Sequence, residues 1–336
     1  MVHGFDKNIQ VSKIVSGKLR RYHNISTIKQ LLTPSILFLN IRDIFLTLFG
    51  IFQSFVKLII WRPDVVFAKG GYVCLPVGFA AHVLRIPIVI HDSDAHPGLT
   101  NRILGIWAKM IATGAPLEYY SYSAKKSVYT GIPISEEFHE YSAKEKSDAK
   151  SRWGVRTDKP LIVITGGGLG AQRINDTVAV ALEDLLGLGS VILISGSKQY
   201  DELRSLTPPN NNKFQMHSFI SKDMASLLGA ADVVITRAGA TTIFELAAMA
   251  KPTILIPNGQ LTGGHQVKNA NVYSKNGAVR VVDENEMVED PQVLVRSVKD
   301  VLGNPEISRQ MAIRFSEFSR PDAAKDVADM VISSIK

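Results

Sequence analysis

The sequence predicts an α/β protein made of two doubly wound halves, each with a parallel sheet. Three observations carry this reading. Short apolar runs rich in Val and Ile alternate with helical patterns, as they do where parallel strands are joined by helices. The alternation breaks once, after Gly131-Ile132-Pro133, where residues 135–158 are charged and carry no strand pattern. It then restarts, and 336 residues are enough for two domains with separate cores.

In the first half, residues 36–61 form the most apolar stretch, ILFLNIRDIFLTLFGIFQSFVKLIIW. Its longest uncharged run, residues 44–56, is 13 residues, short of the roughly 18–20 that span a bilayer. It reads as an amphipathic helix, buried or lying on a membrane. Strands are expected at residues 64–68 (DVVFA) and 86–90 (IPIVI), with weaker ones at 110–113 and 127–129. In the second half, strands are expected at 161–165 (LIVIT), 190–195, 214–217, 233–236, 253–257 and 279–282. Helices are expected at 171–186, closed by Gly187 and Gly189, and at 223–228, 242–250, 265–276 and 323–335. The domains read as 1–134, 135–315, and a C-terminal helical segment 316–336 that packs back on the first domain.

Charge is unevenly placed. The net charge is +7. Lys7, Lys13, Lys18, Arg20, Arg21, Lys29, Arg42 and Lys57 face only Asp6 and Asp43 in the first 60 residues, so nearly the whole excess lies there. Such a field favours anionic partners. Cys74 is the only cysteine, which excludes an intrachain disulfide and any cysteine metal cluster and suits a reducing compartment. The opening MVHGFDKNIQ lacks the basic-then-apolar pattern of a secretory signal.

Five constellations each follow a strand or open a helix. LIVIT-GGGLGAQRIND offers Gly166, Gly167 and Gly168 before a helix start, where backbone N–H groups and the helix dipole suit a phosphate. A dinucleotide site would place an acidic residue at the end of the next strand. That strand ends Ser195-Gly196-Ser197, which disfavours NAD. VVIT-RAGATTIFELAAMAKPTILIP repeats the strand–turn–helix plan. There, Thr242-x-x-Glu245 fits a capping box, or Glu245 grips the two hydroxyls of a ribose with its two acceptor oxygens. HDSDAHPGLTNR crowds His91, Asp92, Asp94, Thr100 and Asn101 after a strand, which suits acid–base work or sugar binding better than a metal. FAKGGYV sets Gly70 and Gly71 beside Lys69 as an anion site. GGHQVKNA places His265 and Asn269 on one helix face with Gln266 beside them.

With SGKLRRY, PDVVFAKGGYV, PGLTNR and TGIP, these motifs resemble, in order, those of the MurG family. These are the UDP-N-acetylglucosamine–muramyl-pentapeptide-pyrophosphoryl-undecaprenol N-acetylglucosaminyltransferases. The resemblance covers nearly the whole chain. It implies a GT-B fold, two α/β domains facing across a cleft, and an inverting, metal-independent transfer. The muramyl C4 hydroxyl would attack C1 of N-acetylglucosamine as UDP leaves. The donor is UDP-N-acetylglucosamine, with no cofactor besides. The acceptor is undecaprenyl-pyrophosphoryl-MurNAc-pentapeptide. The setting is peptidoglycan synthesis, with cell shape and division depending on it, at the anionic cytoplasmic face of the cell membrane, and no nucleic acid is involved.

Carried over by residue, Glu245 looks like the ribose glutamate, and Phe219 with Ile220 like the uracil-side pair. Ala240, Thr241 and Thr242 look like the phosphate-side helix start, and Gln266 with Asn269 like the sugar-binding pair. Gly70, Gly71, Tyr72 and Asn101 look like acceptor residues. The chain departs from the family pattern in four places. Gly168 and Leu169 stand for a serine and a glutamine, Ser93 and Asp94 for a glutamine and an asparagine, and Ile132 and Ser135 for an asparagine and an arginine. The family's first strand and histidine-bearing glycine loop have no counterpart, so the chain is expected to be N-terminally incomplete. It should then bind donor but transfer sugar slowly or not at all, with His91, Asp92 and Asp94 as the remaining acid–base candidates. The alternatives are another GT-B UDP-sugar transferase or epimerase, or a non-catalytic UDP-sugar-binding protein.

Overall fold

The computed structural model describes residues 9–18, 33–167, 170–260 and 264–335. Gly168, Leu169, Gly263, part of the SGKLRRY motif and the basic residues Lys7, Arg20, Arg21 and Lys29 lie outside the described residues. The chain divides into two compact units. One comprises Met1–Asp92, Pro97–Tyr129 and Val327–Lys336; the other comprises Ser93–His96 and Thr130–Asp326.

The N-terminal unit opens with helix α1, Pro34–Trp61, which starts with proline in its first turn and ends at Arg62 in the left-handed region (φ 50°). Strand β1 (Val66–Ala68), helix α2 (Cys74–Val83), β2 (Ile88–Asp92), α3 (Leu99–Trp107), β3 (Met110–Thr113) and β4 (Ser127–Tyr129) follow. The sheet is β1-β2-β3-β4, parallel throughout. Ile88, Ile90, Leu104 and Ile111 form its core. The expected loop after residue 90 is instead more strand. His91 and Asp92 pair with Ala112 and Thr113 and are buried, which strand pairing and internal hydrogen bonds make tolerable for polar side chains.

Helix α1 inverts the usual amphipathic plan. It buries a narrow stripe of Asp43, Ser54 and Leu58, with Gly50 on the same side because a Cβ there would meet Val15 O at 1.9 Å. Phe38, Phe45, Phe49, Phe52, Ile60 (78% exposed) and Trp61 remain exposed. The uncharged run is short, yet Ile36–Trp61 is by length and composition long and apolar enough to cross a membrane. Arg42 and Asp43, 2.8 Å apart, pair their charges within it.

In the second unit, α4 (Ala143–Arg152) has a true capping box: Glu145 N donates to Ser142 Oγ, and Ser142 N to Glu145 Oε2 at 2.8 Å. Then come β5 (Leu161–Thr165), α5 (Gln172–Val180), α6 (Leu182–Leu188), β6 (Ser190–Ile194), α7 (Tyr200–Leu206), β7 (Phe214–His217), α8 (Met224–Ala230), β8 (Val233–Thr236), α9 (Ala240–Ala248), β9 (Thr253–Leu255), α10 (His265–Ser274), β10 (Arg280–Val281), α11 (Glu284–Glu289), α12 (Gln292–Gly303), α13 (Pro305–Ser316) and α14 (Ala323–Ser333). The single helix expected at 171–186 is two, because Ala181 (ψ 7°) leaves the helical region between them; Gly187 lies inside α6.

The parallel sheet runs β10-β9-β8-β5-β6-β7. β5 and β8 are buried along their whole length, as strands covered on both faces must be. Thr165 and Thr236 pair at their carboxyl ends, where the strand order reverses, and ligands of doubly wound sheets bind at such a point. In α14, Val327 and Met330 pack on Met110 and Ala112 within the N-terminal unit.

Candidate functional site

At that switch point the second unit holds a cavity of about 440 Å³. Gly166, Gly167, Gly170, Ala171, Gln172 and Arg173 border it from the β5–α5 turn, and Thr236, Arg237, Gly239 and Thr242 from the β8–α9 turn. Asn258, Gln260, Gln266 and Glu284 complete the wall. The first turn requires its glycines. A Cβ on Gly166 would lie 2.4 Å from Ala171 N, and Gly170 (φ 74°) passes so close to Ser195 O that a Cβ would sit 2.7 Å away.

Helices α5 and α9 begin at Ala171 and Gly239, neither with a side-chain cap among the described residues. Both therefore open onto the cavity with free N–H groups and the positive ends of their dipoles. Two guanidiniums add charge. Arg173 Nη1 lies 3.1 Å from Glu284 Oε2, and Arg237 Nη2 makes a very short contact with Glu284 Oε1. Thr236 Oγ1 is buried with no hydrogen-bond partner among the described residues.

Of the residues expected here, Gly166, Gly167, Thr242 and Gln266 border the cavity. Gln266 Oε1 accepts from Asn258 N at 2.9 Å. Ala240 and Thr241 lie in the first turn of α9. Thr242 and Glu245 form no capping box, because Gly239 is the cap residue and Thr242 lies three positions inside the helix. Burial raises the Glu245 carboxyl above its ordinary range. Phe219, 59% exposed, and buried Ile220 follow β7. The Asn269 carboxamide is hydrogen-bonded within the second unit. It accepts from Ala95 N at 2.8 Å and donates to Asp94 Oδ1 at 3.0 Å and Ala238 O at 3.1 Å. Sequence reasoning missed Arg173, Thr236, Arg237 and Glu284; the first three stand inside motifs it quoted, but Glu284 gave no signal.

In the N-terminal unit, Gly70 (φ 89°) and Gly71 (φ 83°) form a consecutive left-handed pair. A Cβ on Gly70 would lie 2.9 Å from Asn101 Oδ1, so the loop and the start of α3 pack directly together. Asn101 Nδ2 donates to His91 O at 3.4 Å, and Tyr72 is partly exposed. The three acid–base candidates are not equivalent. His91 is fully buried, and buried Asp92 accepts from Tyr122 Oη at 2.8 Å. Burial, with the Asp92 charge beside it, drives the Tyr122 hydroxyl above its ordinary range. Asp94, which belongs to the second unit, has a side chain 42% exposed.

Comparison with known proteins fits this geometry. The description "Glycosyltransferase family 28 N-terminal domain" matches residues 6–113, and "Glycosyltransferase family 28 C-terminal domain" matches 161–327. The UDP-N-acetylglucosamine–N-acetylmuramyl-(pentapeptide) pyrophosphoryl-undecaprenol N-acetylglucosamine transferase of Clostridium kluyveri is 34% identical over 332 residues, 98% of this chain and 86% of that one. The chain belongs to the MurG family of glycosyltransferases. A relative of the same name from Clostridium perfringens is 35% identical over 301 residues, 89% of this chain and 78% of that one. The crystal structure of MurG from Acinetobacter baumannii superposes with a TM-score of 0.70 at 26% identity, covering 87% of this chain and 79% of that one. UDP-GlcNAc 2-epimerase from Neisseria meningitidis, at 14% identity and a TM-score of 0.63, covers 86% of this chain and 81% of its own, and shares the GT-B fold alone. Both sheets of this MurG relative are the parallel sheets of that fold.

Proposed function

We propose that the chain transfers N-acetylglucosamine from UDP-N-acetylglucosamine to the muramyl C4 hydroxyl of undecaprenyl-pyrophosphoryl-MurNAc-pentapeptide, a step of peptidoglycan synthesis, in place of the slow or absent transfer expected from the sequence, because an exposed carboxylate, Asp94, is there to serve as the base. The observation that carries this is the pair of uncapped helix N-termini, at Ala171 and Gly239, that open with Arg173 and Arg237 onto one cavity. The acceptor oxygen bonds to C1 as the bond from C1 to the UDP oxygen breaks, and the configuration inverts. The hydroxyl proton passes to a base, and negative charge grows on the departing diphosphate. Two helix dipoles and two guanidiniums oppose that charge and need no metal to do so.

Glu245 accepts hydrogen bonds from the ribose hydroxyls, and exposed Phe219 supplies a face for uracil. Gly70, Gly71, Tyr72 and Asn101 receive the acceptor. Asp94 is assigned the proton, because its carboxylate alone among the three candidates is open to solvent. The exposed aromatic stripe of α1, with its basic neighbourhood, rests on the anionic cytoplasmic face of the cell membrane, where the lipid acceptor is held.

Calorimetry tests the donor half. UDP should bind in the micromolar to millimolar range, about −8 to −4 kcal/mol. No heat at millimolar UDP, or equal binding of NAD, would overturn it.

A further inference from the structure

A carboxylate in a cavity suited to phosphates calls for an explanation. Glu284 is the first residue of α11, is 5% exposed, and is bridged by two guanidiniums. Arg173 has a second anchor, Nη2 to Asn285 Oδ1 at 2.8 Å. Arg237, 8% exposed, has a second anchor in Ile256 O, reached by Nη1 at 3.1 Å. Each arginine belongs to a different helix start. Arg173 is the second residue of α5, and Arg237 precedes by two the residue that begins α9. Glu284 therefore ties together two anion sites that the chain builds separately.

Two points decide what this tie does. A buried guanidinium left without a counter-charge is strongly disfavoured, so Glu284 is what allows Arg237 to sit in the wall at all. A guanidinium carries five N–H donors, and each arginine has only some of them committed to the wall, so donors remain for a ligand. Beside them, Thr236 Oγ1 is buried and lacks any partner among the described residues. The two guanidiniums take different oxygens of the carboxylate, both of which accept, whereas a carboxamide would turn an NH2 donor towards one of the two.

We propose that Glu284 is a positioning residue that sets the spacing of the two helix-start anion sites, through Arg173 and Arg237, so that the cavity selects two linked phosphates over one. The inference rests on the UDP-sugar reading above. A nucleoside monophosphate engages one helix start and gains nothing from the tie. A nucleoside diphosphate engages both starts and depends on their separation.

The test is calorimetric titration of UDP and of UMP into the full chain and into two variants, with thermal unfolding alongside. Glu284→Gln keeps the side chain's volume but presents an NH2 donor to one of the two arginines. It should weaken UDP by about tenfold or more, the loss of one charge-assisted contact, while UMP changes less than about twofold. Arg173→Gln removes the more exposed arm and leaves the buried Arg237–Glu284 pair intact. It should erode the same UDP-over-UMP preference without lowering the melting temperature. Equal losses for UDP and UMP in both variants would reduce Glu284 to a structural part and overturn the proposal. So would tighter UDP binding in Glu284→Gln, which would show the carboxylate merely opposing the ligand's charge. Failure of the unmodified chain to bind UDP would instead remove the UDP-sugar reading, and this inference with it.

Discussion

Tyr122 Oη donates a 2.8 Å hydrogen bond to Asp92 Oδ2, and Asp92 is buried at the end of β2. This separates the two carboxylates of the HDSD segment by function. Asp92 is buried, whereas Asp94, which accepts from Asn269 Nδ2 at 3.0 Å, has a side chain 42% exposed. Asp92→Asn and Tyr122→Phe should each lower stability by about 1–3 kcal/mol, the cost of disturbing a buried hydrogen bond to a charged group. Asp94→Asn keeps an oxygen to accept from Asn269 Nδ2 and should change stability by no more than about 1 kcal/mol, yet lower kcat by roughly 10²–10⁴, the usual contribution of a general base. Chemical denaturation and steady-state kinetics on the three variants check this. Unchanged kcat in Asp94→Asn would remove Asp94 as the base.

Glu245 stands one turn inside α9 and caps nothing. Glu245→Ala should therefore weaken UDP by about 1.5–3 kcal/mol without lowering the melting temperature. Burial raises the carboxyl of Glu245. The folded state thus holds its proton more tightly than the unfolded state, and the residue's contribution to stability falls as pH rises through that raised value. Glu245→Gln should accordingly melt slightly higher than the parent at neutral pH. A lower melting temperature with unchanged UDP affinity would restore the purely structural role.

Lys251 Nζ donates to Gly229 O at 2.6 Å and to Ala231 O at 3.2 Å, closing the end of α8. Burial, aided by the nearby Lys146 charge, pulls its ammonium down to about 7. An unfolded lysine titrates near 10.4, so between these values the unfolded chain binds the extra proton, and stability should rise with pH by up to about 1.4 kcal/mol per unit. Urea denaturation at pH 7.5, 8.5 and 9.5 should show this rise in the parent and a flatter dependence in Lys251→Met. Parallel curves for the two would contradict it.

The exposed stripe of α1 should carry membrane association. Burying a phenylalanine is worth about 1.5–3 kcal/mol, so Phe45→Ser with Phe49→Ser should weaken co-sedimentation with vesicles containing anionic lipid at least tenfold. UDP affinity should stay unchanged. Binding should also fall with added salt, as attraction of basic residues to an anionic surface does.

The fold was legible because its strands are short and apolar. LIVIT and VVIT became the fully buried β5 and β8, and the glycine turns after them became the two halves of the cavity wall. The rest was hidden for specific reasons. Glu284 lies 111 residues from Arg173, its partner, and nothing local marks an acidic residue at a helix start as a ligand-site residue. His91 and Asp92 look like loop residues because they are polar, but the pairing of β2 with β3 and the Tyr122 hydroxyl let a strand contain them. Thr242 and Glu245 have the right spacing for a capping box, yet the helix begins one turn earlier, at a glycine that carries no side chain to cap with.

Transfer itself is the most direct test. The chain, mixed with UDP-N-acetylglucosamine labelled in the sugar and with undecaprenyl-pyrophosphoryl-MurNAc-pentapeptide, should move label into the butanol-extractable lipid. The transfer should require both substrates, and labelled UDP-galactose should give none. Label absent from the lipid, transferred equally from another UDP-sugar, or recovered as a free epimerised sugar would contradict an N-acetylglucosaminyl transfer to this acceptor.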